Sequence, residues 1–453
     1  MESVNPATGE IVATYQEMNS QELGTIVQEA DEAQSHWRRR SFEERAVLLR
    51  KVADLLESNK EKYAGLMARE MGKPLPQGKS ESEKCAWVCR YYADHAEQFL
   101  ENEMIESDAD KSYITYNPLG TVLAIMPWNF PFWQLFRFAA PALMAGNAAV
   151  LKHASNVTGC ALAIEELMHE AGIPEPLFRT LVAGSDRVEQ VISDEHIAAV
   201  TLTGSTRAGK AVASTAGSLV KKTVLELGGS DPYLILADAD IEQAAETCVT
   251  SRLINGGQSC IAAKRFIVVE DNYDLFIENM TTLMKEKRMG DPFEDDVDLG
   301  PMARADLRDE LHEQVRQSVD AGAECILGGE ISDRKGTYYP PTILTNVTKG
   351  MPAYEEELFG PVASVIRVKD EQEAIRVAND SDFGLGAAVF SRDADHAERI
   401  AAEELEAGCC FVNAFVKSDP RLPFGGVKQS GYGRELSHLG IREFVNIKTV
   451  YRA

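Results

Sequence analysis

Ala198-Ala-Val-Thr-Leu-Thr-Gly-Ser-Thr-Arg-Ala-Gly209 reads as an apolar strand, a glycine-and-serine turn and the start of a helix. Its surroundings repeat the pattern. Extended apolar segments at Ala148–Lys152, Arg179–Val182, Thr223–Leu227 and Tyr233–Leu236 alternate with helical patterns such as Thr158–Ala171 and Ser185–Ile192. That alternation predicts a parallel, doubly wound α/β sheet, which binds ligands at the C-terminal ends of its strands. The turn after Thr203 can present backbone N–H groups to a phosphate. Its glycine spacing is not G-x-G-x-x-G, so an ordinary strand-to-helix turn stays open as the alternative.

Outward from this stretch, a second alternating region runs from Ile241 to about residue 416. Its predicted strands lie near Phe266–Val269, Glu324–Leu327, Ala363–Val368 and Gly386–Phe390. On the N-terminal side, residues 20–105 read as long amphipathic helices covering a sheet, the first capped by Ser20. Ser112–Tyr116, the turn Asn117–Gly120 and Thr121–Ile125 look like a hairpin or two extended strands. The glycine-rich loop Pro423–Gly433 and an extended tail, Phe444–Tyr451, close the chain. No internal repeat, low-complexity tract or long linker separates the two α/β regions, which are expected to pack as one unit with the tail pairing elsewhere.

The bulk numbers exclude several classes. The 453 residues carry 46 − 71 = −25 formal charges, which argues against nucleic acid and against an anionic membrane surface. A small anionic substrate is not excluded, because a site needs only local positive charge. Met1–Pro6 has no apolar core of a secretory signal, and Pro127, Pro131, Arg137, Pro141 and Asn147 break the most apolar region. The eight cysteines fit neither a zinc ribbon nor a disulfide framework, the eight histidines show no ligand spacing, and no metal site is expected. A reducing cytoplasm is the simplest compartment.

Several residue settings suggest chemistry. Leu253-Ile-Asn-Gly-Gly-Gln-Ser-Cys260 delivers one cysteine on a flexible run, and Glu226-Leu-Gly-Gly-Ser230 places an acid at the end of an apolar strand. Together they suggest a thiolate nucleophile and a carboxylate base, although a lone cysteine is more often a packing residue. Asn129, in Pro127-Trp-Asn-Phe-Pro131, offers N–H donors for a developing oxyanion, or an Asx turn satisfied by its own backbone. Lys152 ends its strand, placed for a ribose or phosphate. Glu355–Pro361 sets acids beside an aromatic and a tight turn.

Taken together and in order, these motifs resemble the NAD(P)-dependent aldehyde dehydrogenase superfamily. The resemblance runs from Val4-Asn-Pro-Ala-Thr-Gly9 to the tail, and includes Glu357-Leu-Phe-Gly-Pro361 and Pro423-Phe-Gly-Gly426. It implies an aldehyde dehydrogenase-like α/β fold with two Rossmann-like domains and a small β oligomerisation arm. The cofactor domain would comprise 1–108 and 122–228, the catalytic domain 229–430, and the arm 109–121 and 431–453. It implies Cys260 as nucleophile, Glu226 as the base for deacylation, and Asn129 with the Cys260 N–H as oxyanion holders. Lys152 and Glu357 would hold the cofactor riboses, Gly204 and Ser205 the pyrophosphate, and Trp128, Leu227 and Phe359 the nicotinamide end. Glu435 matches a position assigned to proton relay.

For the substrate, the resemblance points to succinic semialdehyde, with its carboxylate held by Arg137, Arg265 and Ser418; another aliphatic or aromatic aldehyde is the alternative. Ala262 stands where one subgroup has a second, redox-active cysteine, so no thiol switch is expected. Ser155 stands where NAD-preferring relatives often carry a glutamate. That implies NADP, with NAD also accepted; a helix-capping role for Ser155 is the alternative. A homodimer or homotetramer is the expected assembly.

Overall fold

The computed structural model describes all 453 residues. Reciprocal capping boxes start the first two helices: Asn19 with Glu22 for Ser20–Trp37, and Ser41 with Glu44 for Phe42–Ser58. The expected cap Ser20 is therefore the first helical residue, and Asn19 takes the free N–H groups of Gln21 and Glu22. Helix Leu75–Phe99 packs between Phe42–Ser58 and Trp133–Ala145, joining Val52, Val88, Tyr92 and Phe136 in one core. No helix is long and apolar enough to cross a membrane.

The first sheet has the strand order 431–432, 222–226, 197–203, 121–126, 148–153, 178–180. All its strands run parallel except Gly431–Tyr432, which pairs antiparallel with Glu226 and Leu225. The chain winds outward in one direction from Thr121–Met126 and in the other after Phe178–Thr180, so the switch in winding direction falls beside Thr121–Met126. Pro127–Pro131 leaves that strand at the crevice where such sheets take ligands.

The second sheet has the order 324–327, 342–345, 362–368, 265–269, 232–235, 386–390, 409–412. Separate apolar cores cover its two faces. Its edge departs from the parallel expectation: Glu324–Leu327 runs antiparallel to Thr342–Thr345, a strand the alternation did not reveal. Arg265 and Val362 begin neighbouring strands, so Cys260 and Glu357, just upstream, lie at the N-terminal rim of this sheet. The C-terminal rim of the first sheet faces the N-terminal rim of the second, and the site forms between them.

Lys111–Pro118 and Thr121–Met126 are two strands in different sheets, not a hairpin. Lys111–Pro118 pairs with the tail Val445–Arg452 and with Glu103–Met104 in a separate antiparallel sheet. Residues 431–444, expected in the arm, pack on the first sheet instead. Gly431 lies so close to Leu225 that a Cβ would meet its carbonyl oxygen at 2.0 Å, and Leu436, Ile441 and Phe444 are buried in the first core. The outer edge of Val445–Arg452 is unpaired, with Ile447 and Tyr451 exposed.

Candidate active site

The nucleophile loop is held by its own backbone geometry. Asn255, Gly256 and Gly257 all adopt positive φ, at 53°, 63° and 75°. A Cβ on Gly257 would lie 2.2 Å from the Gly360 carbonyl oxygen, so no side chain fits there. Asn255 Nδ2 donates to the carbonyls of Asn129 (2.8 Å) and Gln258 (3.1 Å), tying this loop to Pro127–Pro131. His153, at the end of the neighbouring strand, bonds the Pro131 carbonyl through Nε2 at 2.9 Å; burial pushes the imidazole down to about 4, so the neutral ring donates. Below the nucleophile, the buried Lys264 Nζ donates to the carbonyls of Ser259 (3.0 Å), Cys260 (2.7 Å) and Ala262 (3.2 Å) and reaches Glu357 at 3.4 Å.

Cys260 stands in a wall shared by two chambers, each of about 390 Å³. The first is lined by Trp128, Asn129, Thr203, Gly204, Ser205, Leu227, Glu357 and Phe359. The indole of Trp128 meets Phe359 edge-on at 5.7 Å, narrowing it with apolar rings. Helix Thr206–Ser218 starts at its rim. Ser205 Oγ accepts the Ala208 N–H, while the N–H groups of Thr206 and Arg207 donate to no protein acceptor. Free amides at a helix start, with their positive dipole end, suit a pyrophosphate. The second chamber is lined by Lys84, Phe130, Trp133, Arg137, Lys417, Ser418 and Phe424.

Charge is arranged unevenly around Cys260. Burial pushes its thiol up to about 12, with Arg137 and Lys264 pulling the other way. The Cys260 N–H donates to no protein acceptor. Asn129 Nδ2 donates to the Gln258 carbonyl at 3.1 Å, which leaves its second N–H. Glu226 is buried with neither carboxylate oxygen hydrogen-bonded; burial, then the neighbouring Glu435, pushes its carboxyl well above the usual range. Glu435 is raised by burial too, against the Arg137 guanidinium that pairs with it. A half-buried nucleophile open to both chambers, with two free N–H donors and an unpartnered acid nearby, can run acyl transfer through a thioester.

Residues 1–450 of the 453 match the aldehyde dehydrogenase family model. The chain belongs to the aldehyde dehydrogenase family. Among relatives of this dehydrogenase, the Escherichia coli succinate semialdehyde dehydrogenase Sad, NAD(P)+-linked, is 47% identical over 99% of this chain and 97% of that one. A Mycobacterium tuberculosis succinate-semialdehyde dehydrogenase, NADP(+)-linked, is 48% identical over 100% and 99%. The crystal structure of the Streptococcus pyogenes succinic semialdehyde dehydrogenase, in complex with NADP+, superposes with a TM-score of 0.97 at 41% identity, covering 99% of each chain.

The structure gathers most, not all, of the expected residues. Asn129 and Cys260 meet at the dehydrogenase's first chamber with Trp128, Gly204, Ser205, Leu227, Glu357 and Phe359, and Arg137 and Ser418 line the second with Cys260. Lys152 and Ser155 lie farther along the same strand-end rim; Ser155 is exposed, and no side chain caps the short turn it begins. Glu226 lines neither chamber and lies against Gly425, where a Cβ would come within 2.8 Å of its Oε1. Arg265 is a correction. Its guanidinium is buried away from the chamber and donates to the carbonyls of Ser230 (3.0 Å), Val377 (2.8 Å) and Ala378 (2.9 Å). Five residues past the nucleophile the chain has already entered the parallel sheet, so this side chain clamps backbone instead of substrate. Lys84, from helix Leu75–Phe99, had no signal in the sequence, because one lysine among the charges of an amphipathic helix looks solvated.

Proposed function

We propose that the chain oxidises succinic semialdehyde to succinate with NADP+, and accepts NAD+ as well. The observation that carries this reading is the second chamber: three cations, Lys84, Arg137 and the exposed Lys417, and the Ser418 hydroxyl line it beside Cys260, in a protein whose net charge is −25. Its one acid, Glu81, is already engaged by Lys73 and by the N–H groups of Phe132 (2.9 Å) and Trp133 (3.0 Å). Such a lining suits an aldehyde with an anionic far end. The names of the relatives support the same substrate and cofactor.

In this reading the Cys260 thiol first passes its proton to water, the resulting thiolate attacks the aldehyde carbon, and the new oxyanion is held by the Cys260 N–H and the free N–H of Asn129. Gly204, Ser205 and Glu357 would hold a dinucleotide in the first chamber, where it would take up the hydride lost from the carbon bonded to Cys260, leaving a thioester. Glu226 turns from its place beside Gly425 toward the thioester, gives up its proton as it leaves the desolvated setting that held it protonated, and as the carboxylate takes a proton from the water that attacks the thioester. Glu435, paired with Arg137 and close to Glu226, can pass that proton onward. The exposed edge of Val445–Arg452 supports pairing with another subunit, giving a homodimer or a dimer of dimers. Eight free cysteines suit a reducing cytoplasm.

Initial rates with succinic, glutaric and malonic semialdehydes, acetaldehyde and benzaldehyde, each with NADP+ and NAD+, test the reading. The highest kcat/KM is expected for succinic semialdehyde with NADP+. A higher value for either uncharged aldehyde would overturn it.

A further inference from the structure

We propose that the Lys84 ammonium is the principal anchor for the substrate's distal carboxylate, taking the part that the resemblance implied for Arg265 beside Arg137 and Ser418. The inference rests on the reading above that the substrate carries that carboxylate. Lys84 Nζ donates to Ser418 Oγ at 2.9 Å and stands 4.3 Å from the Trp133 ring centroid, with no acid within 4.0 Å. An ammonium has three N–H donors, and the protein engages one of them with a neutral hydroxyl.

Lys84 is half-buried, and the fully buried cations near Cys260 already have partners, Arg252 among them through the Gly257 carbonyl at 2.6 Å. Arg137 is paired with Glu435 and donates to Thr203 Oγ1 at 3.3 Å. Lys73 pairs with Glu81, Lys264 has three carbonyls and Glu357, and Arg265 has three carbonyls. Removing an ammonium from water without a counter-charge is costly, and a carboxylate arriving in the chamber supplies the missing partner. Burial, and after it the neighbouring Arg137 cation, brings Lys84 down to about 8, against smaller opposite effects of Cys85, Glu81 and Asp419. With the exposed Lys417, which lines the same chamber, these are the charged and titratable groups facing it from its own helix, from Trp133–Ala145 and from the Lys417–Asp419 loop. Arg137 still contributes positive potential, but its charge is largely answered by Glu435.

Lys84→Met keeps the chain length and the contact with Trp133 while removing the charge. Expected is a tenfold or larger rise in KM for succinic semialdehyde and less than a twofold change for butanal, which ends in a methyl group. Lys84→Arg should restore most of the preference. A second measurement needs no variant: in the wild-type enzyme, the ratio of KM for succinic semialdehyde to KM for butanal should climb as pH rises through about 8, where Lys84 loses its proton. Taking the ratio cancels the titration of Cys260. Equal effects of Lys84→Met on both aldehydes, or a flat wild-type ratio between pH 7 and pH 9.5, would overturn the assignment. A wild-type enzyme that uses butanal as well as succinic semialdehyde at pH 7 would instead remove the functional reading beneath it.

Discussion

Replacing Glu226 with Gln separates the chemical role of this residue from its burden on stability. Glu226 is buried, its two oxygens lack hydrogen-bond partners, and its carboxyl is held far toward the protonated form, first by burial and then by Glu435. Above pH 4.5 the unfolded chain has lost this proton while the folded chain keeps it. The folded state then binds more protons, so its stability falls as pH rises, by about 1.4 kcal/mol per pH unit until the folded group itself ionises. Glutamine has no proton to lose. Glu226→Gln is therefore expected to flatten the fall in urea midpoint between pH 6 and pH 8.5 and to be the more stable protein at the alkaline end. Its catalytic effect is opposite in sign. Attack by Cys260 does not need Glu226, so stopped-flow absorbance should show a burst of about one NADPH per active site. Turnover should then fall by roughly 10² or more, the contribution of a positioned general base, with the acyl-enzyme visible by mass spectrometry. Absence of the burst and of the acyl-enzyme would refute the deacylation role. Parallel pH–stability lines for the two proteins would refute the buried, protonated resting state.

Cys260→Ala should abolish dehydrogenase activity and leave NADPH binding, followed by its fluorescence, intact. Arg137→Ala should raise KM for succinic semialdehyde more than KM for butanal, but by less than Lys84→Met does, because Glu435 already answers most of its charge. Arg265→Met should lower thermal stability and affect both aldehydes equally, because it frees three buried carbonyls. Ser155→Glu should weaken NADP+ selectively and reverse the cofactor preference by placing a like charge near the 2′-phosphate; unchanged kcat/KM ratios for the two cofactors would leave Ser155 without a role in selection. Light scattering at micromolar concentration should give a dimer or tetramer mass.

Where the backbone itself restricts the residue type, the sequence was legible. Gly257 must be glycine because Gly360 occupies the space of a Cβ, and Gly425 presses on Glu226 in the same way. Such positions give motifs their fixed spacing, and the loops carrying Asn129, Gly204, Glu226, Cys260 and Glu357 could be read from them. The alternation of strands and helices gave both parallel sheets for a similar reason, since a strand buried on both faces is apolar throughout. Legibility failed where one residue type serves two uses. An arginine five residues past the nucleophile fits a carboxylate clamp or three backbone carbonyls, and only the direction of its side chain from strand Arg265–Val269 separates them. The strand Thr342–Thr345, against which the edge strand Glu324–Leu327 runs antiparallel, escaped because a four-residue strand beside prolines carries little pattern. Residues 431–444 looked like arm because their glycines hide a return to the first sheet.

The net charge and the second chamber then pull in different directions. At −25 the molecule repels a carboxylate aldehyde at long range, but that repulsion is screened over about 8 Å at physiological ionic strength. Inside the chamber the balance reverses, because low-dielectric walls strengthen each contact and the only acid is already paired. An uncharged aldehyde gains nothing from Lys84 or Arg137 and leaves the Lys84 ammonium without a counter-charge. Selectivity therefore comes from what the wrong substrate fails to neutralise as much as from what the right one binds. This accounts for a cation held beside a hydroxyl and an indole without an acid of the protein's own: a permanent partner would stabilise the empty enzyme and remove the discrimination.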